Sequence, residues 1–280
     1  MSNLIKAIIN ITNNTQMGIE HITNGNNRAT NMGDGFENFI KNAFANTLNE
    51  TNEQIKLEKI SKTFSYTGNK TNPPDMMLWN GDAIEVKKIE SANTSLQLNS
   101  SHPKSKLLSQ NSKINKTCRK CEEWDEKDLI YSIGYVENKK LQSLWLVYGD
   151  CYAADFETYQ KVEDSITTSI DRLGHLEINS DTNELSGIRN VDPLNITYLR
   201  IRGMWIIENP NKVYNYIYQY DKNASFQLVC LMQKSKYDSF PAEDLKVLSK
   251  NDKILIQDVK IKNPNNPANL LDAKLIVFKV

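Results

Sequence analysis

Pro73-Pro74-Asp75-Met76-Met77-Leu78-Trp79-Asn80-Gly81-Asp82-Ala83-Ile84-Glu85-Val86-Lys87 is the stretch on which the reading of this chain turns. Two apolar-rich extended runs, 75–79 and 83–89, flank the turn chemistry of Asn80-Gly81-Asp82, the pattern of a β-hairpin. Side chains alternate faces along a strand and opposed residues share a face, so loop length decides which residues meet. A two-residue Asn-Gly turn, the commoner hairpin signal, puts Asp75 on the face away from Glu85. A three-residue loop instead opposes Trp79 to Ala83, Leu78 to Ile84, Met77 to Glu85 and Asp75 to Lys87. That register gathers Asp75, Glu85 and Lys87 on one face and sends Met76, Leu78, Ile84 and Val86 to the other, a wholly apolar set suited to a core. The apolar partition favours the three-residue loop, and Pro74 suits the first position of a strand.

Acidic-x-Lys by itself carries little, because it occurs at Glu85, Asp125, Glu137, Asp244, Asp258 and Asp272. Only Glu85 follows a Pro-Asp hairpin strand. Asp258, in an equally regular strand with Asp252 upstream, is the best competitor but has no such hairpin before it. The grouping suits phosphodiester hydrolysis, which needs charge neutralised on the phosphate and leaving oxygen while a water becomes nucleophilic. Asp75 and Glu85, with the Val86 carbonyl as a neutral third ligand, would bind Mg2+ through hard oxygens and leave positions for water and phosphate. The Lys87 ammonium would orient the water or stabilise developing charge; acting as a base would first require a lowered pKa. An edge hairpin with solvated charges is the competing structural reading.

Outward from the hairpin, Phe36, Phe39, Ile40, Ala43, Phe44 and Leu48 recur at helical spacing and predict a helix over 34–48. Glu37 borders that stripe. Two readings are open for it: a further acidic group leaning toward the metal, or the partner of Asp34 in a helix capping box. Further strands are expected at 62–66, 129–136, 141–148, 213–220, 226–232, 254–261 and 275–280, with a helix at 156–173. The fold class is therefore α/β, a mixed β-sheet flanked by helices. The 280 residues, 39% hydrophobic, are expected to form a single catalytic and DNA-binding domain, with an amino-terminal helical and loop region over about 1–50 and a β-rich carboxy-terminal part.

No apolar run approaches the roughly 20 residues of a membrane span, and the first thirteen residues lack a secretory pattern. A soluble, intracellular protein is expected. Four cysteines do not make a disulfide framework in a chain this long. Cys118-x-x-Cys121 is either half a zinc site or two ordinary cysteines on a helix, and no second pair follows at usable spacing. With 34 basic and 34 acidic residues, net charge offers no argument for a nucleic-acid partner. The stretch between Glu90 and Glu122 holds no acid but contains Lys104, Lys106, Lys113, Lys116, Arg119 and Lys120, which reads as a phosphate-neutralising surface or as a solvated helix face. The histidines are His21, His102 and His175; His102 would touch phosphate or do acid-base work, though no partner motif is visible. Tyr198 to Trp205 alternates like a strand with Arg200 and Arg202 on one side, where guanidinium groups read guanine or grip phosphate, or pair with acidic neighbours; Trp205 is more often core than stacking platform. Arg28 and Arg189 are weaker candidates of the same kind, and Asn24 to Arg28 has the composition of a turn or of a base-reading loop.

Phe64-Ser65-Tyr66-Thr67-Gly68-Asn69, Asn72-Pro73-Pro74-Asp75, Gly81 to Ser91 and Asn99-Ser100-Ser101-His102-Pro103-Lys104 resemble the NgoPII-type type II restriction endonucleases, of the PD-(D/E)xK nuclease superfamily. Val191-Asp192-Pro193-Leu194, Ile196-Thr197-Tyr198, Arg200 to Trp205 and Glu208-Asn209-Pro210 agree as a second block. The resemblance covers most of the chain, while the Asn-rich amino-terminal loop and the last seventy or so residues contribute no matching string. It implies a restriction-endonuclease-like fold and a Mg2+-dependent homodimer that cuts both strands of double-stranded DNA at a short palindrome, GGCC. A cognate DNA methyltransferase would be a functional rather than physical partner. Asp75, Glu85 and Lys87 align with the catalytic motif. Lys88, Asn99, Ser101, His102, Lys104 and Lys106, with Arg200 and Arg202, are the candidate DNA contacts. A structure-specific repair nuclease of the same fold and a non-catalytic DNA-binding protein are the alternatives.

Overall fold

The computed structural model describes residues 1–14, 17–19, 28–68, 73–111, 114–171, 177–178, 186–189, 191–194 and 196–280. Helices are α1 (Leu4–Thr12), α2 (Arg28–Ala45), α3 (Glu53–Thr63), α4 (Lys116–Arg119), α5 (Gly149–Tyr152), α6 (Phe156–Asp171), α7 (Pro210–Val213), α8 (Lys234–Asp238) and α9 (Ala242–Ser249). Strands are β1 (Phe64–Thr67), β2 (Met76–Leu78), β3 (Ala83–Ile89), β4 (Leu96–Asn99), β5 (Lys106–Leu108), β6 (Glu126–Glu137), β7 (Lys140–Tyr148), β8 (Glu177–Ile178), β9 (Ser186–Arg189), β10 (Leu199–Ile201), β11 (Trp205–Ile207), β12 (Gln227–Gln233), β13 (Ile254–Asn263) and β14 (Asn266–Lys279).

The main sheet runs β1-β2-β3-β6-β7-β12-β14-β13, with β5 added to β6. It is mixed: β3 pairs with β6 and β7 with β12 in parallel, and the other neighbours are antiparallel. The central strands β6, β7 and β12 are buried almost continuously, as strands covered on both faces must be. Helix α2 packs on β3 and α1 and lays Phe36, Phe39, Ile40, Ala43 and Phe44 into the core. The Phe36 ring lies on Gly134 of β6, where a Cβ would come within 2.3 Å of it, so only glycine admits this approach of helix to sheet.

Several boundaries differ from the sequence reading. Helix α2 opens at Arg28, six residues before Asp34, and Asp34 is therefore mid-helix. A capping box between Asp34 and Glu37 is excluded, since the first-turn amides it would satisfy lie a turn and a half earlier. The predicted strand at 213–220 is instead the end of α7 followed by turns: Asn209 caps Asn211 N–H, and Pro210 occupies the first helical turn. Helices α1 and α3 were not expected. The 198–205 stretch is two strands in separate sheets, β10 on β9 and β11 on β4, broken over residues 202–204. Among the described residues no helix is long and apolar enough to cross a membrane.

Candidate active site

The hairpin forms with Met76 opposite Ile84 and Met77 opposite Ala83. This register is two residues away from the expected one, because the connection is longer than three residues: Leu78 N–H donates to Asp82 O and Gly81 N–H to Leu78 O. A shift of two preserves parity, so Asp75 and Glu85 come to the same face, as they would with the three-residue loop. Met76, Leu78 and Ile84 go to the core, joined by Met77 and Ala83.

Asp75 stands immediately before β2. Its backbone is held from the side by Gly68, whose N–H donates to Asp75 O at 2.6 Å; a Cβ on Gly68 would lie 2.7 Å from Pro74 O. Its carboxylate crosses to β3, where Val86 N–H donates to Oδ2 at 2.6 Å. Lys87 Nζ donates to Glu85 Oε1 at 2.6 Å. The other carboxylate oxygen, Glu85 Oε2, is buried without a hydrogen-bond partner. Burial first, then the Glu85 carboxylate and more weakly Glu37, push the Asp75 carboxyl well above the usual carboxylate range, against the pull of Lys87 and the Val86 N–H. Burial alone would lower the Lys87 pKa, but Glu85, Asp75 and Glu37 outweigh it and hold the ammonium above its ordinary value. Glu37, paired with Lys41 at 3.7 Å, thus borders the site from α2.

A buried and a half-buried carboxylate beside one lysine leave negative charge and an orphaned oxygen, the condition a divalent cation relieves. Among the described residues no group of three or more His, Cys, Asp or Glu is placed to hold a metal. The two acids would suit Mg2+, an ion that keeps waters and takes one or two carboxylates plus phosphate oxygens.

The candidate DNA contacts divide sharply. His102 is only 2% exposed, stacked on Tyr159 with ring centroids 5.3 Å apart and with Nδ1 3.6 Å from Glu163 Oε1. Phe156 and Trp205 meet it edge-on, so its ring is packed into the fold, and it borders two cavities beside Lys104. Trp205 accordingly packs inward. Lys104 is buried, its ammonium on Ser101 Oγ and His102 O. Lys104 and Ser101 nevertheless line a small cavity that reaches Glu85. Lys106 is taken up by Glu126 at 2.5 Å and Asp128 at 3.4 Å, and Lys88 by Glu90 at 3.1 Å, which weakens both as phosphate contacts. Asn99 is exposed at the end of β4 with a left-handed φ of 52°. Arg200 on β10 and Arg202 in the break just after it are both exposed.

Asp258 is removed as a competitor, for it sits at the opposite side of the sheet and pairs with Lys274 at 2.9 Å across β14. Cys118 donates to Met77 Sδ and Cys121 to Cys118 O, and burial pushes the Cys118 thiol up to about 12, so the two behave as core cysteines. His21, His175 and Asn24–Asn27 lie outside the described residues, and the side chains of Arg28 and Arg189 likewise. Sequence reasoning missed Tyr131. Its hydroxyl accepts from Lys104 N–H at 2.8 Å on the strand position that pairs with Glu85, and a parallel β3–β6 pairing leaves no local signal that would have revealed it.

A mixed sheet flanked by helices, with two carboxylates and a lysine gathered on one hairpin, is consistent with a restriction-endonuclease-like α/β fold. The chain matches the NgoPII restriction endonuclease family over residues 2–262. It is 48% identical over 277 residues to the type II restriction enzyme NgoPII of Neisseria gonorrhoeae, with 99% of each chain covered. No solved structure matches. The chain belongs to the NgoPII restriction endonuclease family and is a site-specific endonuclease of type II. The match takes in the amino-terminal region and most of the last seventy residues, where no similar string had been expected.

Proposed function

We propose that this enzyme is a Mg2+-dependent PD-(D/E)xK nuclease that hydrolyses both strands of DNA at the palindrome GGCC. The observation that carries the reading is the convergence of Asp75, Glu85 and Lys87 on one face with Glu85 Oε2 left unpartnered. Asp75, Glu85 and the Val86 carbonyl would hold the ion, which supplies positive charge to the scissile phosphate and its leaving oxygen. Lys87, kept cationic by its carboxylate neighbours, orients the attacking water and meets charge as it builds on the phosphate. Glu37 reinforces the negative field of the site from α2. Arg200 and Arg202 read or grip the duplex.

A palindrome is matched by two copies related by a two-fold axis, each cutting one strand. The chain acts as one catalytic and DNA-binding unit in the cytoplasm of a prokaryote, with a DNA methyltransferase protecting the host's own copies of the site. Incubation with plasmid and Mg2+, followed by sequencing of the ends, tests this directly. Discrete fragments ending within GGCC are expected, and no product in the presence of EDTA. Fragments ending at another sequence would remove GGCC alone; structure-dependent nicks, or binding without cleavage, would overturn the reading.

A further inference from the structure

Among the described residues of the acid-free stretch between Glu90 and Glu122, the fold leaves two lysines available. Lys116 and Lys120 are exposed, one helical turn apart on and just after α4, and neither makes an ion pair among the described residues. Their neighbours in the stretch are committed elsewhere, Lys106 to Glu126 and Asp128 and Lys104 to Ser101 and a backbone carbonyl. Lys116 and Lys120 line an open groove with Ser65, Tyr66, Thr67 and Thr117. Glu122, which closes the acid-free stretch, is already engaged by Lys127 at 2.8 Å, Ser65 Oγ at 2.7 Å and Asn80 N–H at 2.8 Å, and it makes no ion pair with either lysine.

The groove is built on β1, the edge strand of the sheet, two strands from β3. Neighbouring strands lie about 4.8 Å apart, so the groove floor is roughly 10 Å from the strand carrying Glu85 and Lys87. Gly68, just past the end of β1, ties that strand to Asp75 itself. A duplex whose scissile phosphate meets Asp75 and Glu85 would bring flanking phosphates of its backbone over this edge, where the exposed Thr67 and Thr117 and two uncommitted cations line the groove. Hydroxyls and lysine ammonium groups are common phosphate contacts, which position a duplex without reading its sequence.

Resting on the reading of the protein as a DNA nuclease, we infer that the Lys116–Lys120 groove is a phosphate-docking surface for DNA flanking the cut site, contributing affinity without sequence preference. Its signature is electrostatic, since each phosphate neutralised contributes about 0.9 to the slope of log affinity against log salt. The test uses the full-length protein with Ca2+ in place of Mg2+, and two duplexes, one carrying GGCC and one lacking it. For the double variant Lys116→Ala/Lys120→Ala the slope should flatten by about 1.8, and affinity at about 0.15 M salt should fall roughly 30-fold on both duplexes alike. Lys116→Arg/Lys120→Arg should restore the slope. An unchanged slope in the alanine variant, beside a wild type that binds with a steep slope, would overturn the docking surface and leave the nuclease reading standing. A wild type that binds neither duplex would overturn both.

Discussion

Asp75→Asn should abolish cleavage, by on the order of 10³-fold or more, while leaving the protein at least as heat-resistant as wild type in metal-free buffer. The first half follows from removing one of two acidic ligands, since several kcal/mol of charge stabilisation corresponds to that range of rate. The second half follows from the repulsion between Asp75 and Glu85, which is relieved when one carboxylate becomes an amide. The amide oxygen can still accept from Val86 N–H, so the hairpin keeps its cross-link. Thermal unfolding with and without Mg2+ checks both: the wild type should gain stability with Mg2+ and the variant should not. A variant that unfolds well below wild type in EDTA would mean that Asp75 holds the hairpin together and that its loss of activity reports folding.

Lys87→Ala should lower single-turnover cleavage by about 10² to 10³-fold, the scale seen when a preorganised electrostatic contact to the transition state is removed. Duplex binding with Ca2+ should persist, because Lys87 faces Glu85 inside the site and not a base edge. Loss of binding in step with cleavage would reassign Lys87 to substrate anchoring. Cleavage at the wild-type rate would remove it from the chemistry.

The active-site face was legible in the sequence because parity, unlike register, survives an error of two residues. Met76, Leu78, Ile84 and Val86 could be buried together only if Asp75, Glu85 and Lys87 shared the other face. The true loop length was not legible, because Asn80 with φ of 49° and the Leu78–Asp82 backbone bond set it by local geometry that composition does not express. Helix α1 was legible and overlooked: Leu4, Ile5, Ala7, Ile8 and Ile11 form an apolar stripe behind an Asn3 cap. The early start of α2 was hidden by Asn31, Gly33, Asp34 and Gly35, residues that disfavour helix and are overridden by packing of the Phe36 stripe. Asn209-Pro210 carried a helix-start signal that outweighed the apparent alternation after it. What the sequence withheld most completely was which cations are spent inside the fold. Lys104 and Lys106 look equivalent to Lys116 and Lys120 along the chain, and only the arrival of Glu126, Asp128, Ser101 and His102 from elsewhere separates them.

The proposed chemistry requires a divalent ion held by Asp75 and Glu85. Replacing Mg2+ by Fe2+ in the DNA complex and generating hydroxyl radicals with ascorbate and peroxide cuts the polypeptide close to the bound ion. Mass spectrometry of the fragments should place the cuts at residues 73–77 and 83–88, with excess Mg2+ suppressing them. Cuts concentrated elsewhere, or unaffected by competing Mg2+, would contradict the site.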